Sequence, residues 1–172
     1  NNVAIGKSSL GSNTTASNNT AVGDSSLFAN TTGSANTAVG SYALTANTTG
    51  ADNTAVGVGA LNDNTTAAYN TAVGRLALYA NITGARNTAL GKSTLETVTT
   101  AGDNTGLGAY ALRDGTSNIE LNVAVGSFAG YNITTGIGNV MLGYSTGTAA
   151  VGDDYSIVIG YGAVGHCSNI AV

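Results

Sequence analysis

Apolar and polar positions alternate in a short block that returns along the whole chain. Asn19-Thr20-Ala21-Val22-Gly23 recurs from Asn36, Asn53 and Asn70, from Asn87 with Leu90, and from Asn104 with Gly106 and Leu107. Asn2-Val3-Ala4-Ile5-Gly6 precedes it, and every step from Asn2 to Asn104 is 17 residues. One step of 18 then leads to Asn122-Val123-Ala124-Val125-Gly126. Steps of 17 resume to Asn139-Val140-Met141-Leu142-Gly143 and Ser156-Ile157-Val158-Ile159-Gly160, and the last step, to Asn169, is 13. Eight residues after the opening Asn stands a leucine: Leu10, Leu27, Leu44, Leu61, Leu78, Leu95 and Leu112. A third block, Asn30-Thr31-Thr32-Gly33 with copies at Asn47 and Asn81, closes the unit.

Asn, Thr and Gly are poor helix formers, and the period-two alternation of the pentad predicts a short β-strand. Its two faces differ. One carries Thr20 and Val22, or Val3 and Ile5, or Ile157 and Ile159; the other carries Ala21 and Gly23. The branched face is the more hydrophobic, so it is assigned to the coil interior, and the Ala/Gly face to close approach by a neighbouring chain. A second short strand is expected around Ala43-Leu44, with Gly and Asn supplying positive-φ corners. One such coil buries nothing alone. Stacked at about 4.8 Å per coil, about ten coils form a rod on the order of 50 Å long. Like stacks on like in this register. Asn36, Val39, Gly40 and Leu44 lie under Asn53, Val56, Gly57 and Leu61, and the leucines form a spine. The charges agree: Lys7, Asp24, Arg75 and Lys92 follow the pentad glycine, Asp52, Arg86 and Asp103 precede the Asn, and no pentad strand position is charged. The expected class is therefore all-β, a parallel β-solenoid of stacked 17-residue coils.

Composition narrows the reading. Charged residues are 8% of the chain, far below the usual quarter, with 25 glycines and no proline. No apolar run approaches the roughly 18–20 residues of a membrane span, and the chain lacks the charge and Pro content of disordered segments. Five basic residues scattered over a chain of net charge −4 offer no footprint for nucleic acid. Both ends read as pieces of the repeat, so residues 1–172 are expected to be one array within a longer fibrous chain. The 17-residue repeats run over 2–121, with the 18-residue step at 104–121.

The blocks at Asn122 and Ser156, the latter with Ala163 three residues after its glycine, resemble the head repeats of YadA-type trimeric autotransporter adhesins. Residues 122–168 are the most similar to that family, whereas the 17-residue unit with Asn-Thr-Thr-Gly resembles a variant found in bacteriophage tail fibres. The resemblance implies a left-handed parallel β-roll, a homotrimer or longer filament, and a place on a virion appendage or an extracellular bacterial surface. It also implies attachment to a host glycan or protein receptor, by a phage-type fibre or by an adhesin head. The thin core points to self-association as well.

Candidate chemistry is sparse. Glycan-cleaving sites pair two carboxylates about 5–9.5 Å apart. Asp153-Asp154, Asp103, Asp114 and Glu120 are the acids near irregular coils, and they read as solvated turn residues. His166-Cys167 has ligand chemistry, but adjacent strand residues point opposite ways, so no metal and no cofactor is expected. Tyr42, Tyr69, Tyr110, Tyr144 and Tyr161 are the candidate binding surface, since exposed aromatics suit sugars and interfaces. Asn13, Asn18, Asn30, Asn47, Asn64, Asn81 and Asn132 open Asn-x-Ser/Thr sequons that also serve as turn chemistry. Threonine ladders through Thr31, Thr48 and Thr65 suggest ice binding, against which the interruptions at Ile82 and Val98 count. The chain is thus read as a non-enzymatic fibre segment, with an adhesin head, a glycan-binding or depolymerising domain and an ice-binding solenoid as alternatives.

Overall fold

The computed structural model describes residues 1–148 and 152–165. The elements are β1 (Val3–Ile5), β2 (Thr20–Val22), β3 (Thr37–Val39), β4 (Thr54–Val56), β5 (Thr71–Val73), β6 (Thr88–Leu90) and β7 (Thr105–Leu107). They continue with β8 (Asn118–Glu120), β9 (Val123–Val125), β10 (Thr135–Ile137), β11 (Val140–Leu142), β12 (Gly147–Thr148), β13 (Ile157–Ile159) and β14 (Val164–Gly165). The fold is an all-β parallel solenoid. Its main sheet has ten strands in the order β1-β2-β3-β4-β5-β6-β7-β9-β11-β13, so ten rungs make nine turns. Register follows the repeat: Thr37 pairs with Thr54, Ala38 with Ala55 and Val39 with Val56. Among the described residues no helix is long and apolar enough to cross a membrane.

The register is held by asparagine. Asn36 N–H donates to Asn19 Oδ1 at 2.8 Å, Asn53 N–H to Asn36 Oδ1 at 3.0 Å and Asn70 N–H to Asn53 Oδ1 at 3.0 Å. Each Nδ2 then donates across its own coil: Asn36 to Gly50 O at 2.8 Å, Asn53 to Ala67 O at 2.8 Å. A second ladder uses the Asn of the closing block. Asn47 Nδ2 donates to Asn30 Oδ1, Asn64 to Asn47 and Asn81 to Asn64, at 2.8–3.0 Å. The same Asn47 Nδ2 also reaches Gly50 O, so one carbonyl is clamped by two amides. Above Asn81 the equivalent residue is Val98, and Asn81 Oδ1 is a buried acceptor without a donor.

The interior is the reverse of the assignment made from hydrophobicity. Ala21, Ala38, Ala55, Ala72 and Ala89 are fully buried, while Val22, Val39, Val56 and Val73 are half-buried and point outward. The reason is space: the alanine face packs against the leucines Leu27 to Leu112 inside a narrow coil, and a branched residue would not fit there. The pentad glycine is fixed by stacking rather than by a neighbouring chain. Gly57 has φ 135°, and a Cβ there would meet Gly74 O at 2.5 Å.

No second strand forms at Ala43-Leu44. Gly40, Tyr42 and Leu44 have φ of 138°, 59° and 52°, and this alternation curls the chain into a corner. Inter-coil hydrogen bonds persist there, Tyr42 N–H to Asp24 O at 2.9 Å and Leu44 N–H to Ala60 O at 3.0 Å. The positive φ thus falls on buried leucines more than on asparagines. Left-handed backbone costs a leucine about 1–2 kcal/mol, and burying the side chain returns about 1.5–3 kcal/mol, so the corner stands.

The 18-residue step inserts one residue between Gly115 and Ile119. Asn87 Nδ2 reaches Ala101 O, 14 residues on, whereas Asn104 Nδ2 reaches Ile119 O, 15 residues on. The main ladder is undisturbed, Asn122 N–H donating to Asn104 Oδ1 at 3.1 Å. After the insertion the closing segment becomes a strand, β8 pairing with β10, and in the last coils β12 pairs with β14 eight residues past the opening residue, the position that Leu44 holds in its own coil. Glu120 lies on β8 with its side chain exposed, the one charge on a strand among the described residues. Charged side chains are otherwise at corners, and none is buried.

Two substitutions test which face is inside. Ala55→Val overpacks the coil and lowers stability by about 1–3 kcal/mol, while Val56→Ala changes it by less than about 1 kcal/mol. Asn53→Ala strands the Asn70 N–H, while the Ala67 carbonyl keeps the Asn64 amide at 3.1 Å, and costs about 1–3 kcal/mol, the loss for one buried group. Urea unfolding followed by far-UV circular dichroism measures all three.

Candidate binding surface

Three residue columns meet at the corner that follows the pentad glycine. One, two residues past the glycine, holds Tyr42, Gly59, Leu76, Ser93, Tyr110 and Phe128 in successive coils. In the upper coils aromatic residues converge. Tyr110 and Phe128 stack with centroids 4.9 Å apart at 18°, and Tyr144 and Tyr161 stack at 5.2 Å and 15°. Phe128 joins the pairs, with its edge toward Tyr131 at 5.4 Å and Tyr144 at 6.1 Å. Tyr161 is 85% exposed at the top of the strip.

Two cations lie on these rings. Lys92 Nζ is 5.1 Å from the Tyr110 centroid, and Arg113 Cζ is 4.6 Å from that of Tyr131. Arg113 Nε also donates to Asp114 Oδ1 at 2.9 Å, and this bond raises the guanidinium pKa above its ordinary value. Beside the strip is a groove of about 400 Å³ lined by Phe128, Tyr131, Asn132, Ser145, Thr146 and Val164, with Gly147 at its floor. A Cβ on Gly147 would meet Asn132 Oδ1 at 2.8 Å, so a glycine there leaves the Asn132 amide its place.

Of the expected surface, Tyr110, Tyr144 and Tyr161 come together and Tyr42 and Tyr69 do not. Tyr42 is four coils below Tyr110 in the same column, separated by Gly59, Leu76 and Ser93. Tyr69 precedes Asn70, at the opposite end of the strand from the pentad glycine, with φ 63°. Phe128, Tyr131, Arg113 and Asn132 were not singled out as binding residues by sequence reasoning. The signal existed: Tyr110 and Phe128, like Arg113 and Tyr131, are 18 apart, the length of the irregular step.

Three of the expected acids have partners within the chain. Asp103 accepts from Arg86 Nε and Nη2 at 2.6 and 2.7 Å, an exposed pair that lowers the carboxyl pKa below its usual value. Asp114 holds Arg113, and Asp154 Oδ1 accepts the Ile137 N–H at 2.7 Å. None of these acids lines the groove. His166 and Cys167 lie outside the described residues. Among the described residues, no group of three His, Cys, Asp or Glu is placed to hold a metal.

Burial sorts the sequons. Asn30, Asn47, Asn64 and Asn81 are fully buried in the amide ladder, which leaves no room for glycosylation of the folded chain. Asn18 and Asn132 are exposed. The Thr31 and Thr48 hydroxyls donate to the next coil's Thr48 and Thr65 carbonyls at 3.0 Å. Compared with protein-family models, curated proteins and solved structures, the chain matches none of them.

The strip is checked by near-UV circular dichroism, which for a chain without tryptophan reports tyrosine and phenylalanine packing. Phe128→Ala uncouples both stacked pairs and removes most of that signal, whereas Tyr69→Ala leaves it close to the wild-type spectrum.

Proposed function

We propose that this chain is a structural and adhesive segment of a trimeric attachment fibre, of the phage tail-fibre kind or a similar surface appendage, in which copies meet along the outward face of the main sheet. One observation carries the reading: that face is a continuous charge-free stripe of Thr and Val, Ile or Leu over ten strands, and no element among the described residues covers it. Ile5 is 60% exposed, Val3 49%, Leu90 38% and Ile159 55%. A contiguous apolar stripe of this length on a charge-poor rod marks a protein interface. The interior offers alanines and one leucine per regular coil, a small core for a free-standing rod. The repeat resemblance to YadA-type heads and tail fibres adds the role in attachment. An adhesin head on a bacterial surface is the alternative within this reading, and a C-terminal coiled coil with a membrane β-barrel in the flanking coding sequence would identify it.

A second reading is favoured by one feature of the same face. Thr20, Thr37, Thr54, Thr71, Thr88 and Thr105 form an outward column of threonines in consecutive coils, uninterrupted by Ile82 or Val98, which lie elsewhere on the coil. A flat, rigid threonine array suits ice. The two readings require opposite states of the face: covered in a trimer, open in a monomer.

Light scattering after size-exclusion separation decides. The trimer has three times 16.8 kDa. Val56→Asp with Val73→Asp places charge on the seam and yields a folded monomer, with unchanged far-UV circular dichroism. A wild-type monomer overturns the trimer, and inhibition of ice recrystallisation by that monomer would establish the second reading.

A further inference from the structure

The groove beside the aromatic strip has the make-up of a saccharide site. Its volume of about 400 Å³ lies in the range of small-molecule sites, roughly 300–1,000 Å³. One side is aromatic, Phe128 and Tyr131; the other is polar and uncharged, Asn132, Ser145 and Thr146. A hexose has the same division, C–H groups over its ring faces and hydroxyls around its edge. An aromatic body suits the first and amide or hydroxyl groups the second. Asn132 and Ser145 are exposed, and among the described residues neither the Asn132 amide nor the Ser145 hydroxyl is hydrogen-bonded within the chain. They are available to a ligand.

Charge selects the kind of sugar. Among the described residues, no carboxylate and no cationic side chain lines the groove. Arg113, whose guanidinium lies over one face of the Tyr131 ring at 4.6 Å from its centroid, is held by Asp114, with Glu96 also acting on it. Lys92 sits further down, over Tyr110. None of the described lining residues compensates a buried carboxylate or sulfate, and an uncompensated charge there is costly. The strip also continues upward from the groove through Tyr144 and Tyr161, a path along which a longer polymer extends beyond one bound unit.

We propose that this groove binds a neutral hexose unit of a surface polysaccharide, with Tyr131 and Phe128 as the stacking platform and Asn132 and Ser145 as hydroxyl partners. This names the receptor class for the attachment reading and rests on it, but it requires only a groove within one chain and no trimer.

Affinity electrophoresis of the whole chain through gels containing dextran, mannan or galactan, with alginate as the acidic probe, tests it. At least one neutral polymer retards the wild type. Tyr131→Ala and the exposed Asn132→Ala each weaken retardation about tenfold, the effect of losing one anchor in a small site. Tyr131→Phe keeps the ring and most of the binding, and Tyr69→Ala, remote from the groove, changes nothing. No retardation by any neutral polymer overturns the proposal. So does equal retardation of wild type and Asn132→Ala, or retardation by alginate alone that is lost with Lys92→Ala. Light scattering on the same samples reports the trimer separately, so failure of the groove and failure of the fibre reading are distinguishable.

Discussion

Everything in this molecule depends on one hydrogen bond repeated at a fixed interval, the backbone N–H of each opening asparagine to the side-chain oxygen of the asparagine one coil below. A three-residue strand has too few ladder bonds to hold register alone, and a buried N–H left without a partner costs about 1–3 kcal/mol. The asparagine amide meets both needs. Its oxygen takes the neighbour's N–H, and its nitrogen crosses the coil to a carbonyl of the closing block, Asn36 to Gly50 being one instance. Strand and closing block are thereby tied together, and the coil keeps one cross-section. This is why an 18-residue step is absorbed without a break: the bond from Asn122 to Asn104 still forms, and the extra residue is displaced to the far side of the coil.

A coil closed this tightly has room for little. Alanine occupies the strand interior, leucine the corner, and amides the remaining space, so backbone and amide bonding carry much of what a wide apolar core does elsewhere. The branched residues go outside. That placement connects packing to function. The proposed function rests on it: a rod that exports its most hydrophobic strand residues carries a continuous charge-free face.

Past Val98 the interior changes character. The second amide ladder ends at Asn81; Val98 and Ile133 stand at its position in later coils, Ile119 fills the space at Gly115, and Met141 takes the strand position that Ala124 holds one coil below. New strand pairs form, and aromatic residues gather at the corner outside. The lower coils form a uniform rod, whereas the upper coils carry the aromatic strip, the contacts of Lys92 and Arg113 with its rings, and the groove. The site thus sits where the repeat is broken. A strictly periodic surface presents the same few groups everywhere, and distinctive chemistry requires departure from the period.

The sequence by itself determined the solenoid, its parallel register and its outward charges. Each of these follows from a period that local reading detects: Asn36 over Asn53 over Asn70, Lys7 and Arg75 at corners, Leu44 over Leu61. It did not determine which face of the pentad is inside. Alternation at period two identifies two faces, and hydrophobicity favours the valines, but volume decides, and the volume of a coil is set only when it closes against its leucines. The corner at Tyr42 and Leu44 was likewise hidden, because left-handed leucines are tolerated only where inter-coil bonds and burial offset their strain. The binding surface was half legible. Tyr110, Tyr144 and Tyr161 stand out as aromatics at variable positions, but Phe128 shares its column with small residues and Asn132 faces the groove where Gly147 leaves it room, and only the packing of successive coils in the tertiary structure decides which side chains meet.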